Sequence, residues 1–201
     1  LLQTIRLGLI NPGEQLPPER ELAGMLNVSR DTVRDATSSL ADAGYLVIRR
    51  GRYGGTFIAD VLPITSVIIG RDGELLNRPE YTKEEILDAL TYRAVLESGA
   101  AYQAAATTLS EESRAALVEA HVETKQASPE DYRRLDSRLH LLIAQLTGSA
   151  TLVNQIAESR MKVNGLLNEF PLLTPNVTHS NEQHEAIVMA ILNGDSGLAS
   201  A

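Results

Sequence analysis

The sequence predicts a mainly α-helical protein in two parts, a small N-terminal unit of three short helices and a β-hairpin followed by a larger antiparallel all-helical bundle. Three observations carry this expectation. Apolar residues recur at helical spacing almost throughout, and only residues 45–60 show the short β-rich runs of a hairpin. Proline and glycine collect at "NPGEQLPP" and in residues 61–82, which marks a boundary after the hairpin. Charge is split in the same place: residues 1–60 carry seven basic and seven acidic side chains, whereas residues 61–201 carry eleven against nineteen, so the whole formal charge of −8 lies in the second part.

Composition narrows the class. A chain of 201 residues that is 43% hydrophobic can bury a proper core, and with no cysteine it holds no disulfide, thiolate metal site or cysteine nucleophile. No stretch approaches the roughly 18 uncharged apolar residues of a membrane span, and no basic and apolar leader opens the chain, so it reads as cytoplasmic. It begins without methionine and stops just after a helix restarts in "LNGDSGLASA", the pattern expected of a fragment.

The elements follow in order. "LLQTIRLGLI" has helical spacing; "ERELAGMLN" starts a second helix after Pro17 and Pro18; "SRDTVRDATSSLADAG" is a third, with Ser29 as N-cap and Gly44 as its stop. "YLVIRR" and "GTFIAD" form the hairpin. Only "NVS" separates the second and third helices, which makes a helix-turn-helix. On the third helix Val33, Ala36 and Leu40 form the inward stripe, and Arg30, Arg34 and Thr37 fall on the exposed face, near the end that a recognition helix presents to the major groove. Such arginines can also be plain solvated charge paired with Asp31, Asp35 and Asp42. The tight turn before them, and Arg49, Arg50 and Arg52 on the hairpin after them, favour DNA.

Residues 61–82 read as a linker that partly packs, and residues 83–201 as about six helices. Ile86, Leu90, Ala94, Glu97 and Ala101 mark the first; Ser110 caps the second; Ser128 and Pro129 start the third at N-cap and N1, ending at Gly148; "ATLVNQIAESRMKVNGLLNEF" is the fourth; a capping box from Ser180 to Gln183 opens the fifth. Asp136 and His140, four apart, share one helix face, a spacing that lets both reach one ion, and His184 starts another apolar-patterned helix. Carboxylate with imidazole suits zinc, nickel, manganese or iron; the same spacing also occurs as an ordinary hydrogen-bonded surface pair. His121 reads as an exposed helix residue and His179 as a loop residue, the latter also a substitute ligand.

Residues 4–58, "LPPERELAGMLNVSRDTVRDATSSLADAGYLVIRRGRYGGTFI" at their centre, resemble the winged helix-turn-helix of GntR-family transcription regulators. The resemblance implies a homodimer on a double-stranded DNA operator, with Arg20 meeting the phosphate backbone or a base beside it, Arg30 and Arg34 reaching base edges and phosphates, Thr32 supporting them, Ser29 also in the DNA-binding set, and Arg50 and Gly51 entering the minor groove as the wing. "RRGRYGGTF" is longer than the usual wing. "YRAVLESGAA", "DSRLHLLIAQLTGSATL" and "HEAIVMAILNGD" resemble the FCD effector-binding domain of the FadR branch over about residues 83–201. That implies a divalent metal on Asp136, His140 and His184, a further histidine roughly twenty residues past His184 and so beyond Ala201, and a small carboxylate effector with Arg93 as its anion contact. Leu139 replaces a common aromatic, and Ser149 a common asparagine. Arg93 can equally serve as a salt bridge to Glu97 one turn on.

These features point to a metabolite-controlled DNA-binding regulator, in repressor sense, and not to an enzyme. A metalloenzyme would need a general base, nucleophile loop or phosphate cradle, and no motif supplies one. A bundle that senses an acyl ligand without metal, or serves only for dimerisation, is the other alternative.

Overall fold

The computed structural model describes residues 1–51, 54–63, 68–69, 75–76, 81–167 and 173–201. They form two units, Leu1–Thr65 and Ser66–Ala201. Arg52, most of the 61–82 linker and residues 168–170 of the fourth bundle helix lie outside the described residues.

The first unit holds α1 (Leu2–Arg6), α2 (Glu19–Leu26), α3 (Arg30–Asp42), β1 (Leu46–Arg49) and β2 (Gly55–Ile58). The Pro18 carbonyl accepts from the Glu21 and Leu22 amides at 2.8 and 3.0 Å, which starts α2 where a proline cannot extend a helix backwards. The helix ends at Asn27, whose φ of 52° is left-handed. Asparagine tolerates that region, so the chain reverses within residues 27–29. Ser29 then caps α3, its Oγ accepting from the Thr32 amide at 3.1 Å and lying 2.8 Å from the Thr32 hydroxyl. A cap of this kind stabilises a helix by roughly 1 kcal/mol. Gly44, with φ of 80°, closes the helix and turns it into β1.

The hairpin pairs Leu46 with Ile58 through Arg49 with Gly55, and Gln15 bridges Phe57 from the other side. A Cβ at Gly54 would collide with the Arg49 carbonyl oxygen, a backbone atom that cannot swing aside, so that position requires glycine. Ile5, Leu16, Leu22, Val33, Tyr45, Leu46 and Ile58 make the core. The inward stripe of α3 differs from expectation by one position. Thr37 is 3% exposed and Ala36 is exposed, so the stripe runs Val33, Thr37, Leu40 and Ala41. Thr37 can be buried because its hydroxyl donates to the Arg34 carbonyl at 3.0 Å.

The second unit opens with the two-residue strands β3 (Ile68–Ile69) and β4 (Leu75–Leu76), paired antiparallel. Among the described residues six helices follow: α4 (Lys83–Ala106), α5 (Glu111–Lys125), α6 (Tyr132–Leu146), α7 (Ala150–Leu167), α8 (Thr174–Asn193) and α9 (Ser196–Ala199). A reciprocal capping box starts α4, with Thr82 Oγ1 accepting from the Glu85 amide and Glu85 Oε2 from the Thr82 amide. Its buried face is Ala89, Ala100, Ala101, Ala104 and Ala105, while Leu90 and Ala94 are exposed. Methyl-sized side chains let α4 pack against α6, α7, α8 and α9 at once.

Two starts lie elsewhere than the caps suggested. Ser128 Oγ accepts from the Asp131 amide in a turn, and α6 begins only at Tyr132. Ser180 lies inside α8, which begins at Thr174 with Pro175 in its first turn. Proline in the first turn outweighed the serine signal five residues later. Among the described residues no helix is long and apolar enough to cross a membrane.

Candidate functional site

The i, i+4 spacing on α6 puts Asp136 and His140 on one face, and α8 brings His184 to meet them. His184 Nε2 lies 3.2 Å from Asp136 Oδ1 and 3.2 Å from His140 Nε2, and His140 Nε2 lies 3.8 Å from the same Oδ1. Both histidines are buried. Three atoms at these separations share a point about 2.0 Å from each, the length of a zinc–imidazole bond. The donor set and its spacing therefore fit a divalent ion. His184 Nδ1 and Arg160 Nη2 are buried with no hydrogen-bond partner among the described residues, as in sites that take up a further polar group.

Around these three lies a ring of charge. Arg160, on α7, is 1% exposed; its Nη1 donates to Asp136 Oδ2 at 2.6 Å and its Nε lies 2.7 Å from Glu97 Oε1. Glu97, on α4, places Oε2 3.3 Å from His140 Nδ1 and accepts from Arg93 Nε at 2.9 Å. Burial opposes the Asp136 anion, but the Arg160 guanidinium and then His184 overcome it and hold the carboxyl well below the usual range. Burial likewise opposes the Arg160 cation, and Asp136 and Glu97 more than compensate, raising its pKa. Arg93 thus makes the i, i+4 salt bridge to Glu97 that its spacing allowed.

Arg160, and the part Glu97 plays, were missed from sequence. A signal existed: Ile156, Arg160 and Val163 fall on one helical face, all at most 1% exposed. A charge inside an apolar stripe demands partners from other helices.

In the first unit Arg20, Ser29, Arg30, Thr32, Arg34, Arg50 and Gly51 are all exposed. Arg34 sits 3.4 Å from both Glu19 and Asp31, and at 61% side-chain exposure such pairs are weak and easily exchanged for another anion. Arg49, itself exposed, stacks over Phe57, 4.4 Å from the ring centre, and Arg50 is exposed beside Gly51.

Comparison with known proteins now decides the family. Residues 1–58 match the model "Bacterial regulatory proteins, gntR family", and residues 88–201 match the FCD domain. The "Putative L-lactate dehydrogenase operon regulatory protein" of Escherichia coli K12 is 30% identical over 198 residues, 93% of this chain and 72% of its own. The chain belongs to the GntR family.

The Uxu operon transcriptional regulator of the same organism is 34% identical over 152 residues, 74% of this chain and 56% of its own. Escherichia coli McbR/YncC superposes with a TM-score of 0.54 at 18% identity, covering 98% of this chain and 85% of that one, and shows the same fold. This GntR-family protein is a DNA-binding transcription regulator with an FCD domain, and its relatives are regulators, not enzymes.

The two other histidines of this GntR chain depart from expectation. His179 lies on α8, not in a loop, and is 71% exposed, away from the cluster. His121 is buried on α5, because it shares a face with Leu117 and Thr124, and its Nδ1 has no partner among the described residues. Burial first, then His184 and Lys125, lower its pKa against the opposing pull of Glu185. The unfolded chain, titrating near 6.5, therefore takes the proton first. Stability is fully present above that pH and falls as pH drops below it. Denaturant midpoints should decline from about pH 7 to 5.5, and His121→Gln should decline less under the same metal conditions. Equal declines in both proteins would mean that His121 does not contribute.

Proposed function

We propose that this regulator is a repressor of the FadR branch whose operator affinity is set by a small organic acid held at a divalent metal, with zinc, nickel or manganese as the suited ions. The observation that carries the reading is the convergence of Asp136 Oδ1, His140 Nε2 and His184 Nε2 around one point. Two carboxylates, Asp136 and Glu97, already face two guanidiniums, Arg160 and Arg93, so an added divalent ion brings uncompensated positive charge into a buried place. Anionic oxygen ligands are favoured there. Arg93, partly exposed, is suited to a second oxygen of the effector by exchange from Glu97. The name of the lactate-operon relative is in keeping with an acid of that size.

Residues 1–60 would read DNA, 61–82 connect, and 83–201 bind effector and dimerise. Arg30 and Arg34, with Thr32 in support, would contact the major groove, Arg20 the phosphates beside it, and Arg50 with Gly51 the minor groove; Ser29 would hold the recognition helix at its start. A DNA-reading unit without net charge binds a polyanion weakly alone, so two copies on a two-fold operator supply the missing affinity. Its place of action is the bacterial cytoplasm, where the operator is.

The test uses a duplex that the protein itself selects from a random pool. Metal-loaded protein on this duplex, followed by fluorescence anisotropy, is titrated with small carboxylates, L-lactate among them. One acid should weaken DNA binding by about 5–150-fold, the range of ordinary allosteric coupling, and chelation should abolish the response. A full response in chelated protein would favour a metal-free acyl-ligand sensor, and indifference to every acid a plain dimerisation module.

A further inference from the structure

We propose that Arg160 is a positioning residue of the metal centre, setting through two carboxylates which atoms its ligands offer; the inference rests on the metal reading above. Arg160 heads the fully buried side chains, and a cation so placed persists only where anions meet it on fixed geometry.

Its two contacts do different things. The bond from Nη1 occupies Asp136 Oδ2, so Oδ1 alone is turned to His140 and His184, and the aspartate offers a single atom. Nε lies 2.7 Å from Glu97 Oε1 as an ion pair without hydrogen-bond alignment, and its charge holds that oxygen, which leaves Oε2 against His140 Nδ1 at 3.3 Å. A carboxylate there places the imidazole proton on Nδ1 and the lone pair on Nε2, the atom facing the other two ligands. One guanidinium thus orders two of three ligands, one directly and one through Glu97. The spread of the guanidinium matters: a lysine ammonium is a single compact charge that cannot bond Asp136 and stand against Glu97 from separate atoms.

A competing role predicts the opposite sign. Were Arg160 only a balancing cation, it would repel a divalent ion, so Arg160→Met would tighten metal binding and Arg160→Lys would leave it unchanged. As a positioning residue, both substitutions weaken it, by about the 10–100-fold typical of lost outer-shell partners.

The experiment is calorimetric titration of zinc alone into the full chain, as wild type, Arg160→Lys and Arg160→Met. Ring nitrogen shifts of His140 in metal-free protein are measured in parallel. Weaker zinc binding in both variants, with His140 passing from a single Nδ1–H tautomer to a mixture, is the expected result. Unchanged binding in Arg160→Lys, or tighter binding in Arg160→Met, overturns the proposal while leaving the metal reading intact. A wild type that takes no zinc defeats both together. If neither arginine variant folds, Glu97→Gln, nearly the same in volume, is read the same way: a preserved tautomer and wild-type zinc affinity overturn the relay.

Discussion

Asp136→Ala and His184→Ala each strip the protein of metal. Full-length protein purified without chelator is expected to carry close to one divalent ion per chain, and each variant almost none, by elemental analysis. The size of the effect follows from the geometry. Asp136 Oδ1 and His184 Nε2 are 3.2 Å apart and are the proposed inner ligands, so removing either should cost more than the roughly 10–100-fold assigned to outer partners. Asp136→Ala also leaves Arg160 facing Glu97 alone, a buried cation short of one anion, and should lower thermal stability even without metal. His184→Ala removes no charge partner of Arg160, so its melting temperature in chelated buffer should stay nearer the wild type. Wild-type protein free of metal after supplementation would end the metal-linked mechanism and leave the DNA-binding assignment untouched.

Arg30→Ala and Arg34→Ala should each all but abolish specific DNA binding while preserving the fold. Both side chains are exposed, and the Arg34 contacts with Glu19 and Asp31 at 3.4 Å contribute little to stability. A lost arginine–guanine contact is worth about 1–3 kcal/mol, and on a two-fold operator it is lost twice. Dissociation constants on the selected duplex should therefore rise by about 10²–10⁴-fold, with a shallower dependence on salt wherever the lost contact is to phosphate. Arg20→Ala, placed beside the phosphates, should weaken all sequences alike. Wild-type affinity in both recognition-helix variants would remove α3 from the interface.

The order of elements in the first unit was legible because its signals are local: two prolines before α2, a three-residue turn, a serine cap and a stopping glycine each act within a few residues. Thr37 was misread because a threonine counts as polar until its own helix supplies the acceptor, the Arg34 carbonyl. In the second unit the meeting of Asp136, His140 and His184 was legible, two from i, i+4 spacing and the third from family likeness. Arg160 was not, because its partners stand 24 residues away on α6 and 63 away on α4, a separation that no periodicity encodes. His121 was readable in principle from the Leu117–His121–Thr124 stripe, had burial been weighed before polarity.

The way α4, α6, α7 and α8 each send side chains into one buried ionic knot bears on how this sequence can drift. Glu97, Asp136, His140, Arg160 and His184 are linked by ion pairs, so a change at one strands a neighbour in a medium that punishes solitary charge. Substitutions here should be strongly non-additive, each harmful alone and tolerable only beside a compensating partner. Partly exposed Arg93 is the member free to change first, because the knot it adjoins can be rewritten only in concert.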